Sequence, residues 1–438
     1  MFNAKDIKKT NQKSVWVFML LIGMLALGTI SCDEDDNDNN NTVTPVPEPD
    51  PIPEVPSGWL TGYRKDSPQG AVYYMEASEN IPDETNVSNA VEIGLASRIL
   101  SFGEHPYTWN DEAGTLTKWN VDRTTLEFSV DGIISFASQG ISGNVGFGTT
   151  FVSETKAYIP NVTEGVIVEF DPSVMEITDV INFEFPFPNS ANGFYANNQI
   201  YIPETEIFIF GIFYFPEVCC EYDGPDAYTI LVFDTKTNTT EVKQDQRLLL
   251  GEEALMRSDD GFIYVSPGLG QSVAVKYLDN VPAGPSSEFN VLRMDLDGNF
   301  DPDYSLDISS VLSKEFARAF EIPPSGNVRP FIVPNNSFAE NWNDRFGIFS
   351  DFPEWNVVGV NYVTGEVEPL TAFDGFNYVT LPNTVNGEDY VVVGTVEVDN
   401  DGGASREVSY LARVEDGFNL TLLTKNDGGT LRRIAKLW

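Results

Sequence analysis

Histidine, cysteine and basic residues are scarce in this chain: 438 residues hold one His, three Cys and 26 Lys plus Arg. A single histidine excludes multi-histidine zinc or iron centres within one chain. Any Ser-His-Asp triad would have to use His105, which stands before Pro106 with no G-x-S-x-G elbow in support and reads as an ordinary polar loop residue. Against the 26 basic residues stand 66 Asp plus Glu, a formal net charge of -40 that rules out nucleic acid as a partner. Helical periodicity is nearly absent as well. What remains is apolar and aromatic material, 42% and 12% of the chain, enough for a large folded core.

The first residues read as an address. Lys5, Lys8, Lys9 and Lys13 precede an apolar run, Val15 to Ile30, that is short for a bilayer span and ends at Ser31-Cys32. This is the pattern of a secretory signal over residues 1–31, with a plain transmembrane anchor as the other reading. A thiol directly after the small-residue end of the run resembles the lipobox of bacterial lipoproteins, and that resemblance implies that Cys32 is acylated and becomes the mature first residue. Asp33 to Asn41 is five acids and four amides, with nothing apolar to bury. It resembles the export signal of Bacteroidota-type surface lipoproteins, which implies the outer leaflet of the outer membrane; a solvated spacer is the alternative. Pro45 to Pro56 then carries proline at nearly every second position. Such a segment is a semi-rigid polyproline II stalk, so residues 32–57 read as a disordered tether. Eight acids lie in residues 33–56, yet the part from 57 onward still holds 57 acids against 22 bases.

From residue 58 to 438 the sequence reads as one all-β domain. A unit recurs in which an apolar strand ends in an acid or amide, followed by a polar turn and a second alternating strand. The pivots are Asp122, Asp171, Asp234, Asp295, Asn361 and Glu415, at spacings of 49, 63, 61, 66 and 54, with a weaker copy at Glu76. Short aromatic strands precede three of them, at residues 156–160, 199–203 and 261–267. A four-stranded repeat of this length is what a β-propeller blade requires, since one small sheet cannot hide both faces alone. The expectation is a seven-bladed propeller, with six or eight blades or a large β-sandwich as alternatives, closed by the terminal strand Thr430 to Leu437. One exception to the strands is Ser309 to Phe320, whose spacing predicts a helix of two or three turns. WD40 and kelch signatures are missing. The layout of lipobox, acidic run, proline stalk and degenerate blades resembles the uncharacterised propeller lipoproteins of Bacteroidota, a resemblance that implies the fold and the address and places some relatives near metallophore or iron uptake.

Few constellations could carry chemistry. Asp295, Asp297, Asn299 and Asp301 place oxygens at every second residue, as calcium loops do, but the Gly falls at the fourth place and Leu306 stands where a bidentate Glu is needed. Ca2+ is therefore one reading and a hairpin with solvated acids the other. Cys219 and Cys220 are adjacent and could form a vicinal disulfide that braces a loop; redox activity lacks the C-x-x-C spacing and the basic neighbours. Twelve aromatics between Ile181 and Tyr222 read as inter-blade packing or as a platform for a ligand. Asn341 to Arg345 and Phe352 to Trp355 could extend such a platform. Two functions follow. One is a lipid-anchored surface binding protein presenting loops to an extracellular small molecule or glycan, or to an outer-membrane uptake receptor. The other is an extracellular polysaccharide hydrolase or lyase using carboxylates at the propeller centre.

Overall fold

A computed structural model describes residues 57–67, 70–94, 96–141, 148–161, 164–184, 195–213, 224–249, 255–267, 284, 288–312, 318–319, 327–334, 355–376, 378–385, 388–398 and 405–438. The chain divides into Met1–Val55, which lies outside these residues, and Pro56–Trp438. Among the described residues no helix is long and apolar enough to cross a membrane.

Seven four-stranded antiparallel sheets form the blades of a β-propeller. Blade 1 takes β1 (Trp59–Ser67), β2 (Gly70–Ser78) and β3 (Val91–Glu92); blade 2 takes β4 (Ala96–Phe102), β5 (His105–Asn110), β6 (Thr115–Val121) and β7 (Phe128–Ser135). Blade 3 is β8 (Thr150–Ser153), β9 (Lys156–Asn161), β10 (Val166–Asp171) and β11 (Glu176–Asn182). In blade 4 the strands are β12 (Tyr195–Ile202), β13 (Ile207–Phe213), β14 (Tyr228–Asp234) and β15 (Thr239–Asp245), and in blade 5 β16 (Met256–Arg257), β17 (Ile263–Val265), β18 (Asn290–Met294) and β19 (Leu306–Asp307). Blade 6 holds β20 (Arg318–Ala319), β21 (Val328–Pro334), β22 (Trp355–Asn361) and β23 (Val367–Pro369), and blade 7 holds β24 (Tyr378–Val385), β25 (Glu388–Val398), β26 (Ser405–Glu415) and β27 (Asn419–Asp427). The last strand, β28 (Leu431–Lys436), returns to blade 1.

Within each blade the first strand is innermost. β28 packs against β24 on one side and β4 on the other, and β12 packs against β8, so first strands meet around the axis. The fourth strands are the exposed rim, as in β7, β11 and β23. Middle strands read as continuous apolar runs because both their faces are covered; Tyr228 to Phe233 in β14 is buried without a break. Each gap between neighbouring blades is filled by its own apolar cluster. Tyr158 and Ile167 of blade 3 meet Phe208 and Phe233 of blade 4, Ile209 and Ile230 of blade 4 meet Ile263 and Met294 of blade 5, and Tyr264 of blade 5 meets Phe331 of blade 6. Seven such clusters serve seven interfaces.

The recurring pivot has one physical cause. At the end of the third strand a short carboxylate or amide accepts the backbone N–H groups just ahead of it, which turns the chain into the fourth strand. Asp122 accepts from Thr124 and Thr125 at 2.8 Å, Asp171 from Ser173 at 2.8 Å and Asp234 from Lys236 at 2.8 Å. Asp295 accepts from Asp297 and Asn299, and Asn361 from Val363 and Thr364. These contacts hold the carboxyls of Asp122, Asp171 and Asp234 below their usual range. Glu415 and Glu76 are one methylene longer and do something else: Glu415 takes the Thr421 hydroxyl, and Glu76 takes the N–H of Asn86, ten residues on.

One expectation needs correction. Of the helix expected over Ser309 to Phe320, the described residues hold α1 (Ile308–Leu312), while Arg318 and Ala319 instead pair with Ile332 and Phe331 as the innermost strand of blade 6. Ladder formation there overrides the local apolar spacing. The short aromatic strand read over residues 199–203 is the end of β12, the first strand of blade 4.

Closure of the ring is by hydrogen bonds between chain ends. β28 pairs with β1 from Trp59↔Lys436 to Tyr63↔Leu431, and Leu437 N–H donates to the Gly58 carbonyl at 2.7 Å. Backbones approach closely here. A Cβ on Gly429 would lie 2.0 Å from the Arg64 carbonyl oxygen, and one on Gly58 2.2 Å from the Trp438 ring, so only glycine fits either place. A second fastening lies outside it: Glu84 bridges to Lys425, Thr85 N–H donates to the Lys425 carbonyl and Lys425 N–H to that of Asp83, covering the edge of β27. The interface between blades 7 and 1 is also unusually polar, with Thr61, Glu76, Ser409, Thr424 and Asn426 all buried.

Three outcomes are expected. A chain ending at Gly429 lacks the innermost strand of blade 1 and loses the cooperative thermal transition, as read by circular dichroism. Asn361→Ala removes two turn hydrogen bonds and lowers stability in a urea titration by about 1 kcal/mol. Desolvation raises the Glu76 pKa above its ordinary value. A raised folded-state pKa gives stability that is present at acidic pH and lost as pH rises through it. Glu76→Gln therefore raises Tm at pH 8 by about 2 °C, and this gain shrinks as pH is lowered towards 5.

Candidate binding site on the innermost strands

Among the described residues the seven innermost strands, β28, β4, β8, β12, β16, β20 and β24, contain Arg98, Arg257, Arg318, Arg432, Arg433 and Lys436, and no Asp or Glu. Acids make up about one residue in seven of the chain from 57 onward, so strands of this total length would carry about five by composition alone. Burial does not explain the bias, because burial disfavours both signs of charge. The rim is the reverse: the seven outermost strands hold nine Asp or Glu against Lys243 and Lys425. Over the described strands charge is thus sorted radially, with cations on the innermost strands and acids on the outermost.

The innermost strands are also irregular. Every ladder between a second and a third strand runs in regular register. Wherever the innermost strand has four or more residues, its register against the second strand shifts, and this holds in blades 1, 2, 3, 4 and 7. A bulge leaves one residue out of the ladder and re-aims it. Those left out are Arg432 in β28, Ser97 in β4, Asn197 in β12, Val152 in β8, and Leu381 and Pro382 in β24. Polar residues thus stand at the bulges of three innermost strands.

Arg433 is the most constrained of the cations. Its Nη2 donates to the Ser101 hydroxyl at 2.9 Å and so ties β28 to β4, while its Nε is buried without a hydrogen-bond partner. Burial alone pushes the guanidinium down to about 10, with no carboxylate beside it to push back. Arg257 differs, since it forms a 2.7 Å ion pair with Glu204 from blade 4.

The residues singled out in the sequence are not brought to the axis. Asp295, Asp297, Asn299 and Asp301 form the rim hairpin of blade 5. Asp295 spends its carboxylate on the N–H groups of Asp297 and Asn299 and on the Asn299 amide. Lys243 donates to the Asp297 carbonyl and the Asn299 side chain at 2.8 Å each, and Asp301 pairs with Arg293 at 2.7 Å. A cleft of about 600 Å³ opens beside this hairpin against Lys243, Gln244 and Arg247, but Arg247 is already committed to Asp245 and to the carbonyls of Asp301, Pro302 and Tyr304. Among the described residues no group of three His, Cys, Asp or Glu could hold a metal ion. His105 sits at the start of β5 with Nδ1 3.2 Å from the Trp119 carbonyl oxygen. Cys32, Cys219, Cys220 and residues 341–345 and 352–354 lie outside the described residues, and of Trp355 only the backbone, the first residue of β22, is described. Of the aromatic segment, Phe208 and Phe210 are inter-blade core, while residues 214–222 lie outside the described residues. Sequence reasoning missed the cationic axis. Its signal was present, as acid-free stretches such as Ala96 to Phe102 and Leu431 to Lys436 in a strongly acidic chain.

No family model matches the chain, and no curated protein matches it. Solved structures do. A putative 6-phosphogluconolactonase from Bacteroides fragilis is 12% identical over 88% of this chain and 99% of its own, with a TM-score of 0.44. The periplasmic gluconolactonase of Pseudomonas aeruginosa is 9% identical over 86% and 99%, with a TM-score of 0.47. A hypothetical selenium-binding protein from Sulfolobus tokodaii is 9% identical over 87% and 94%, with a TM-score of 0.50. At such identity the likeness to the Sulfolobus tokodaii protein is one of fold alone, and the chemistry of this chain must be argued from its own residues.

Proposed function

We propose that this chain is a binding protein and not a carboxylate-dependent enzyme: a lipid-anchored propeller held at the cell surface by an acylated Cys32, with its ligand taken at the ring axis. One observation carries the choice. Glycoside cleavage by the usual route needs two carboxyl groups flanking the bond, about 5 to 10 Å apart. Among the described residues the seven innermost strands offer none and carry six cations. The address rests on the lysine-rich start, the apolar run, Cys32, the acidic run and the proline stalk, which resemble a surface lipoprotein of the Bacteroidota type. A tether of that kind suits a protein that captures an extracellular molecule and passes it to an outer-membrane receptor, metallophore uptake being one such setting.

Expression with a radiolabelled fatty acid tests the anchor. The chain takes up label, and Cys32→Ser abolishes it and moves the protein from the membrane to the soluble fraction; label retained by Cys32→Ser overturns the anchor. Incubation with polysaccharides, followed by reducing-end and unsaturated-product assays, tests the choice between binding and catalysis. No turnover is expected, and turnover that survives removal of contaminating activity refutes the binding reading.

A further inference from the structure

We infer that the seam between blades 7 and 1 takes an alkali cation, Na+ or K+, held by the carboxylate of Glu76 with the hydroxyl oxygens of Thr61, Tyr63 and Thr424, and that this ion fastens the closure of the ring. The site is independent of what the ring binds at its axis. Register places the four groups on facing surfaces. Thr61 pairs directly with Glu76 in the β1–β2 ladder, so their side chains stand on one face of blade 1 with Cβ atoms about 5 Å apart. Tyr63 is the next residue on that face and packs in one cluster with Leu411 of blade 7. Leu411 pairs with Thr424, which puts the Thr424 side chain on the face of blade 7 turned towards blade 1. The segment after β2 spans the same seam: the Asn86 N–H donates to Glu76 Oε2 at 3.2 Å, and the Thr85 hydroxyl donates to Asn426 Oδ1 at 2.7 Å.

Polar groups elsewhere in the seam are satisfied within the chain. The Ser409 hydroxyl donates to the Gly429 carbonyl and accepts from the Leu431 N–H, while Asn426 accepts the Thr85 hydroxyl and donates to the Arg64 carbonyl. By contrast, Thr61 Oγ1, Tyr63 OH and Thr424 Oγ1 are buried with no hydrogen-bond partner among the described residues. Glu76 is 5% exposed and has the Asn86 N–H but no ion pair among the described residues. Lys65, the next residue on that face beyond Tyr63, donates instead to the Asp427 carbonyl at 2.7 Å, and Arg64 pairs with Glu407 at 3.7 Å. Three oxygens without partners and a carboxylate without a counter-charge define the missing component. Bridging water would answer the hydroxyls but leave the carboxylate's charge where burial makes it costly. A cation that takes oxygen ligands answers both. One carboxylate among neutral oxygens matches a single positive charge, whereas Ca2+ draws on a larger and more acidic oxygen set.

Thermal unfolding of the full chain in detergent at pH 8 tests this, with the salt held at a constant concentration as the chloride of tetramethylammonium, sodium or potassium. An ion that binds only the folded chain raises Tm, and the tetramethylammonium ion is too large for a packed seam. Na+ or K+ is expected to give a gain of about 2–3 °C over it, and the larger gain identifies the ion. Glu76→Gln and Thr61→Val each remove one ligand and abolish that gain. In tetramethylammonium both variants melt no lower than the parent chain, since one loses a buried charge and the other an unpartnered buried hydroxyl. The benefit of Glu76→Gln at pH 8 thus belongs to the cation-free ring and is cancelled in the salt that binds. If one variant fails to fold, as its melting curve shows, the other decides. Equal Tm in the three chlorides overturns the site, and so does a gain from Na+ or K+ that persists in either folded variant; both results leave the binding reading of the axis in place.

Discussion

A four-stranded sheet with two apolar faces cannot stand in water, and nearly everything else in this molecule follows from that. Each blade hides its faces only against the blades on either side, so the series has to close on itself or leave two faces wet. Closure here is entrusted to backbone hydrogen bonds between β28 and β1 and to the side chains that pack over them, Leu60 and Ala435 towards blade 2, Tyr63 and Leu431 towards blade 7. No apolar cluster in the ring is complete without a neighbour from another blade. The glycines at 58 and 429 are the local consequence, since two chain ends must lie against each other more tightly than any Cβ permits.

Because the blades are interchangeable units of packing, what differs between them is free to serve other ends. The interface between blades 7 and 1 departs from the rest by burying hydroxyls, an amide and the carboxyl of Glu76. Burial raises the pKa of that carboxyl, and only the Asn86 N–H compensates. Opposed to it are the turn aspartates of blades 2, 3 and 4, whose carboxyls are held low by backbone N–H groups at Asp122 and Asp234 and first by the Ser173 hydroxyl at Asp171, and so favour the folded state above their unfolded pKa, an advantage lost on acidification. One polar interface and a set of rim turns therefore pull the pH dependence of the ring in contrary directions.

Much of the architecture could be read from the residues because the turn that separates third and fourth strands is chemically local. A short carboxylate or amide that captures N–H groups two or three positions on leaves the same imprint wherever it occurs, and Asp122, Asp171, Asp234 and Asn361 carry it plainly. Five of the seven pivots carry it, and their spacing, with Glu415 and Glu76 as looser copies, points to the seven-bladed ring. The site was not legible in the same way. Arg98, Arg257, Arg318 and Arg432 lie far apart in sequence and look unremarkable one by one; only strand order places them all on innermost strands. Asp295 to Asp301 misled for the opposite reason, since residues spaced for a cation were serving a hairpin. Ser309 to Phe320 misled because helical spacing says nothing about an edge waiting to pair with Arg318 and Ala319.

The scarcity of cations makes their placement informative. In a chain where acids outnumber bases so heavily, each Lys or Arg has carboxylates to choose from, and several on the rim are fully occupied: Lys243 and Arg247 clasp the blade 5 hairpin, and Arg293 joins Asp301 while lying 4.3 Å over Phe262. In that hairpin Lys243 does with an ammonium what a calcium ion would do with its own charge, holding the Asp297 carbonyl and the Asn299 amide together. Structural needs are thus met by rim cations paired with rim acids. Arg433 follows neither practice, being set on an innermost strand with a serine for company and no acid in contact. A guanidinium held out of water with no carboxylate in contact among the described residues weakens the fold, and here that cost falls on the strand that closes the ring.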